Sequence, residues 1–214
     1  MIKSVMVDGA EALKLMVDGK VAWERGGLPA GYQKCQYLQS TGEQWIDTMI
    51  TPIFGDEIVV VAGANLSLGD FRPFGSGSKN QVAITLLSSY QDRVYYKYFQ
   101  GNTDAMYLFN TFFGNDFALK TIKLDSSGMY IDGNRLGDIS NDYMDTDTTM
   151  YIFRIRNTMS CVARISNFSI ARNGENMIDM IACIDPSGVP CMYDTVSKHP
   201  FYNQGTGEFL YELV

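Results

Sequence analysis

At 214 residues the chain is long enough to bury a full core without disulfide or metal staples. Hydrophobic residues make up 46% and charged residues only 19%, with 13 Tyr, 12 Phe and 20 Gly, a mix suited to strands joined by tight turns. A net charge of −7, with no Lys/Arg cluster to neutralise a run of phosphates, excludes nucleic acid as a partner.

In chain order, residues 1–19 carry Lys3, but acidic residues and glycines interrupt them before the apolar region of a secretory signal forms. The longest apolar stretch, around "IVVVAGANLSL", is too short to span a bilayer. The protein is therefore expected to be made in the cytoplasm and kept soluble, or to leave by a route without a cleaved signal. Within residues 1–24, "VMVDGAEALK" is followed by "LMVDGKVAWE", so Met-Val-Asp-Gly recurs. Asp-Gly between alternating apolar residues is a strong hairpin signal, because both central turn positions need positive φ. The repeat predicts a small three-stranded β-meander whose apolar faces come from Val5, Val7, Leu13, Leu15, Val17, Val21 and Trp23. A piece this short buries too little surface to stand alone. It is either a first layer of the main domain or an attachment module that uses Val5, Val7, Leu15, Val17 and Trp23.

"RGGLPAG", residues 25–31, is the one clear linker, and it sets the start of a second domain at residues 32–214. There, short β-rich runs such as "DEIVVVAGANL", "DRVYYKYF", "FALKTIKLD" and "TMYIFRIR" alternate with turn residues, and no long helical period intervenes. That spacing predicts an all-β antiparallel sandwich of two sheets. Hairpin turns are expected at Asp132-Gly133, at Asn173-Gly174 and at Ser126-Ser127-Gly128.

Two segments carry a family pattern. "LPAGYQKCQYLQSTGEQWIDTMI" resembles the opening of many bacterial and prophage proteins that contain a concanavalin A-like (LamG-type) jelly roll. The later run "PSGVPCMYDTVSKHPFYNQGTGEF" is similar to the same family's closing segment, through Pro186, Ser187, Gly188, Tyr193, Asp194, Val196, Phe201, Tyr202, Asn203, Gly205, Thr206, Gly207 and Phe209. The resemblance covers about residues 28–214, strongly at both ends and weakly between 52 and 120. Trp45 stands where the family usually has Tyr, and Cys191 where it usually has Gly. The resemblance implies a jelly-roll sandwich preceded by a small N-terminal β-meander. It also implies a place in a phage virion or surface assembly, as a decoration, head-fibre or tail component. Partners would be other virion proteins or the chain's own subunits in a homo-oligomer, reached through residues 1–24. The closing segment is expected to act as a latch, "PSGVPCMYD" turning the chain and "GTGEFLYEL" laying a strand beside "QYLQSTG".

Signs of chemistry are few. Glycanases of this fold resemble one another in a Glu-x-Asp-x-x-Glu strand motif that sets two carboxylates on one face. Here no Glu occurs between residues 58 and 174, so no enzyme is expected. His199, the only histidine, sits in "VSKHPFY" and reads as a turn residue rather than a triad base. "FGSGSKN" has too few glycines, wrongly placed, for a phosphate loop. Cys35, Cys161, Cys183 and Cys191 lack C-x-x-C spacing, which argues against zinc. A Cys183–Cys191 bridge is geometrically possible, and free thiols are the expectation for a chain without a signal. No cofactor is required. Calcium is the alternative, through Asp138, Asp142, Asp145 and Asp147 in "GDISNDYMDTDT", although that run lacks the EF-hand pattern.

One binding face suggests itself. A period of two puts Val94, Tyr96 and Tyr98 together, and sets Ile152, Arg154 and Arg156 opposite Tyr151, Phe153 and Ile155. Tyr96, Tyr98, Arg154 and Arg156 combine rings that stack on sugar CH faces with guanidinium donors for hydroxyls. The alternative is that the tyrosines fill the core and the arginines solvate a convex surface. Host-surface glycan binding by a lectin-like domain is the leading expectation. A decoration protein that binds no sugar, and a glycan hydrolase, are the two alternatives.

Overall fold

The computed structural model describes residues 27–69, 71–77, 82–89, 93–99, 106–109, 112–138, 146–155 and 159–214, together with short strands within residues 6–24. Those short strands pair two by two, Met6–Val7 with Ala10–Glu11 and Lys14–Val17 with Lys20–Glu24. Among the described residues these are two separate pairs; the Asp-Gly steps within them and residues 12–13 between them, on which the expected three-stranded meander depends, lie outside the described residues.

The rest is the antiparallel two-sheet jelly-roll sandwich. The smaller sheet runs, in spatial order, Met106–Phe109, Arg93–Tyr98, Val82–Ser89, Phe74–Gly77, Tyr151–Ile152, Ile46–Asp47. The larger is built around Glu57–Ala64, Val162–Arg172, Gln33–Thr41 and Glu175–Ile184, with Lys120–Asp125, Gly128–Ile131 and Asn134–Gly137 at one side and Pro190–Asp194 and His199–Tyr202 at the other. Alternation selects the buried face of each strand: Ile58, Val60 and Ala62 on one, Ile122 and Leu124 on its neighbour. Phe74 and Phe168 meet between the sheets with ring centroids 6.3 Å apart. In Val162–Arg172 the buried set changes parity from Ala163 and Ile165 to Phe168 and Ile170. A register shift between Ile165 and Asn167 accounts for the change, one extra residue re-aiming the side chains.

The three turns read from sequence are present. Asp132 and Gly133 take φ 49° and 78°, and Asn173 and Gly174 take 52° and 81°, as two-residue hairpins require. Asp125 pairs with Gly128 across Ser126-Ser127. The latch also forms as expected: Leu210–Leu213 runs antiparallel to Gln33–Thr41, with Tyr211 opposite Leu38 and Leu210 opposite Gln39.

The loop before Glu57–Ala64 is held by both sheets. From the large sheet, Arg172 donates through Nε (2.8 Å) and Nη2 (3.0 Å) to the two oxygens of the wholly buried Asp56 carboxylate, whose Oδ2 also accepts the Ile53 N–H. From the small sheet, the Tyr98 hydroxyl donates to the Asp56 carbonyl and accepts the Gly55 N–H, each at 2.8 Å.

Candidate functional site

Tyr98 is therefore a core pin. Tyr96 is equally buried, and its hydroxyl donates to the Asp138 carbonyl at 3.0 Å. Alternation does put the two tyrosines on one face of their strand, but that face is inward, and neither ring is open to a sugar. The alternation expected in "TMYIFRIR" also fails. Phe153 takes φ 65°, its N–H donating to the Pro73 carbonyl at 2.8 Å, and this left-handed residue breaks the strand. Ile152 and Phe153 both point inward and are fully buried, while Tyr151 and Arg154 are left half-exposed. Such a φ is costly for a bulky residue. The Phe153 ring is anchored in the core, 5.1 Å from Phe209.

The kink assembles a surface cluster. Ile46 and Ile152 pair and face the core, so Trp45, Asp47 and Tyr151 face outward. Trp45 and Tyr151 meet edge to face, with centroids 5.3 Å apart and planes at 85°. The Arg154 guanidinium carbon lies 4.2 Å from the Trp45 ring centroid. Its Nε is buried and has no hydrogen-bond partner among the described residues. Burial pushes the Arg154 guanidinium below its ordinary value, with Tyr151 pulling the other way, but it remains charged at any working pH. The next residue, Ile155, lies over Gly75, where a Cβ would meet its side chain at 2.9 Å. Gly75 is thus the gap that admits this crossing of the small sheet's outer face.

The closing segment supports the tryptophan from behind. Asn203 Oδ1 accepts the N–H of Trp45 (3.2 Å) and of Gly205 (2.8 Å), and Gln204 N–H donates to the Trp45 carbonyl at 2.8 Å. Gln44 Nε2 donates to the Thr206 carbonyl at 2.9 Å. At Gly205 an added Cβ would lie 1.9 Å from the Glu43 carbonyl oxygen and 2.9 Å from Trp45 Cδ1. Gly205→Ala is expected to cost about 2 kcal/mol through overpacking and to shift the Trp45 emission; unchanged stability and spectrum would show that the contact yields freely.

The same loop walls a cleft of about 600 Å³ between Asp185, Val189, Tyr202, Asn203 and Glu208. Of its two carboxylates, that of Asp185 is already committed. Asp185 Oδ1 accepts the N–H groups of Ser187 (2.8 Å) and Val189 (2.9 Å), and Oδ2 accepts the Tyr202 hydroxyl at 2.8 Å. The Val189 backbone bond leads in holding Asp185 below the usual carboxylate range, while burial followed by the bond to Asp185 pushes the Tyr202 hydroxyl up. The "PSG" and "FYN" parts of the closing pattern thus brace each other.

No protein-family model matches the sequence, and no curated protein matches it. Among solved structures, domains LG4-5 of the mouse laminin alpha1 chain are similar at a TM-score of 0.44 and 16% identity, over 70% of this chain and 44% of that one. The chain thus spans less than half the length of that laminin fragment.

Of the residues singled out from sequence, only Arg154 stands in the surface cluster; Arg156 lies outside the described residues. Asp142 and Asp145 also lie outside them, Asp147 is exposed, and Asp138 pairs with Arg135. Among the described residues, no group of three or more His, Cys, Asp or Glu is placed to hold a metal ion. Val5 lies outside the described residues, and of Val7, Leu15, Val17 and Trp23 only the strand placement is described. His199 is exposed, and its register partner Asp194 spends its carboxylate on backbone N–H groups. Sequence reasoning missed Trp45 and Tyr151 as site residues. The available signal was Trp45 itself, a larger ring at a position where the resembling proteins carry Tyr.

Proposed function

We propose that this chain is a non-enzymatic, lectin-like display module whose Trp45, Tyr151 and Arg154 platform binds a host-surface glycan. Residues 1–24 attach it to a phage virion or surface assembly, through other particle proteins or its own subunits. The observation that carries the glycan reading is the Arg154 guanidinium stacked on a half-exposed tryptophan, its Nε–H without a partner among the described residues. Sugar CH faces stack on such rings, and hydroxyls or carboxylates accept from a guanidinium. The non-enzymatic part rests on the lack of any Glu from 58 to 174, which leaves the paired-carboxylate strand motif without residues. The virion part rests on the opening and closing motifs that the sequence shares with prophage proteins.

A glycan array followed by titration of the best ligand tests the reading. In a Trp23→Phe background, where Trp45 is the single remaining tryptophan, a bound glycan should change its emission. Trp45→Ala and Arg154→Ala should each weaken binding by about tenfold or more, and Arg154→Lys should fall between, because an ammonium lacks the planar fork. Absence of binding across the array, or binding indifferent to both alanines, refutes the glycan reading. Release of reducing ends from wall or capsule polysaccharide refutes the non-enzymatic one. Deleting residues 1–24 should abolish assembly and spare glycan binding.

A further inference from the structure

Cys183 and Cys191 face each other directly across the hairpin formed by Glu175–Ile184 and Pro190–Asp194. Their sulfurs are 3.5 Å apart, and both side chains are fully buried. They form the centre of a second, small apolar cluster with Tyr193, covered by Leu28 and Tyr32 from the segment that precedes the sandwich. Tyr32 rests on Tyr193 with ring centroids 5.0 Å apart. Directly opposed residues of an antiparallel pair lie within the Cα separation that a disulfide spans.

We propose that Cys183 and Cys191 are an oxidation site that closes as a cross-strand disulfide when the chain folds in the presence of a small-molecule disulfide. One cysteine attacks the reagent as a thiolate, forms a mixed disulfide and releases one equivalent of reagent thiol. The second cysteine then attacks the protein sulfur of that mixed disulfide, forming the Cys183–Cys191 bond and releasing the second equivalent. Two electrons pass from the cysteine sulfurs to the two sulfurs of the reagent, and the two cysteine protons leave with the released thiols.

Burial sets the timing. The contact with Cys191, then desolvation, pushes the Cys183 thiol well above its ordinary value, so in the closed fold little of the attacking thiolate exists. The bond therefore forms while the hairpin is still open to solvent, before Leu28 and Tyr32 cover it. Cys35 is the nearest competitor. It is also buried, its thiol is pushed up to about 11 by desolvation, and the neighbouring Lys34 pairs with Cys183. Cys161 is committed elsewhere, its sulfur 3.0 Å from the Arg72 carbonyl.

The bridge would staple the hairpin at its turn end, one residue pair from the Asp185 to Val189 turn that walls the cleft. The full chain, unfolded and refolded with oxidised glutathione, tests it. Thiols are blocked by alkylation and tryptic peptides are weighed. Peptide 173–198 contains both cysteines; it should be two hydrogens lighter and unalkylated, with Cys35 and Cys161 alkylated. Cleavage before Asp185 should leave its two pieces joined until reductant is added. Cys191→Ser should remove the mass loss, and the folded wild type should acquire it more slowly than the refolding chain. Alkylation of all four cysteines after refolding, or a link from either cysteine to Cys35, overturns the proposal.

Discussion

Arg172→Ala should lower unfolding stability by about 3 kcal/mol, the scale on which removing one partner exposes the cost of a buried ion. The Asp56 carboxylate is wholly enclosed, and Arg172 supplies two of the hydrogen bonds that compensate its lost hydration. The remaining donor to that carboxylate, the Ile53 N–H, carries no charge. Arg172 is itself partly exposed, 27% by side chain, so its own release to water costs little and the penalty falls on Asp56. Arg172→Lys should be intermediate, because an ammonium cannot bridge both oxygens in a fork. Replacing both partners, Asp56→Asn with Arg172→Leu, should lose less than Arg172→Ala alone, since no charge is then stranded. Urea midpoints at constant slope measure all three. Equal losses for the single and double variants would mean that the pair contributes packing and no charge compensation.

Asp194→Ala should cost a similar amount, about 3 kcal/mol, by a different route. Its carboxylate, 1% exposed, accepts the backbone N–H groups of Asp179 (2.8 Å), Val196 (3.1 Å) and Ser197 (2.8 Å). These bonds make the turn between Pro190–Asp194 and His199–Tyr202 and tie it to the neighbouring strand. Alanine leaves three donors without a protein acceptor, whereas Asp194→Asn keeps one oxygen and should lose roughly half as much. Amide exchange provides the local readout: Val196 and Ser197 should lose protection before the sandwich unfolds. Protection unchanged in Asp194→Ala would show that water replaces the carboxylate at no cost.

The parts of this fold that a reader of the sequence can find are those where local chemistry leaves one answer. Asp132-Gly133 and Asn173-Gly174 announce hairpins because few other residues accept φ near 50° and 80° in succession. The pairing of Leu210–Leu213 with Gln33–Thr41 was legible through the resemblance of the closing segment to a known pattern. Tyr96 and Tyr98 show the limit of alternation, which reveals that two side chains share a face and is silent on whether that face meets the core. Their hydroxyls, each with a backbone carbonyl in reach, let the core accept them. Phe153 shows a second limit. A phenylalanine in a left-handed conformation leaves no mark in the sequence, yet it reverses which of its neighbours are outward, and the Arg154–Trp45 stack depends on it. The contact itself joins distant parts of the chain through the pairing of Tyr151–Ile152 with Ile46–Asp47, a relation that only tertiary structure supplies.

The ladder between Gln33–Thr41 and Leu210–Leu213 also sets a schedule for folding. It joins an early segment to one synthesised some 170 residues later, so the contact carries a large loop-closure cost and comes late in assembly. Until it forms, one stretch of Gln33–Thr41 is a free edge able to accept a strand from any nascent chain nearby. Several copies made together on one messenger would meet in that state. Exchange of the Leu210–Leu213 strand between neighbours is the misassembly this topology invites, and the high effective concentration of a strand tethered to its own chain is the defence against it.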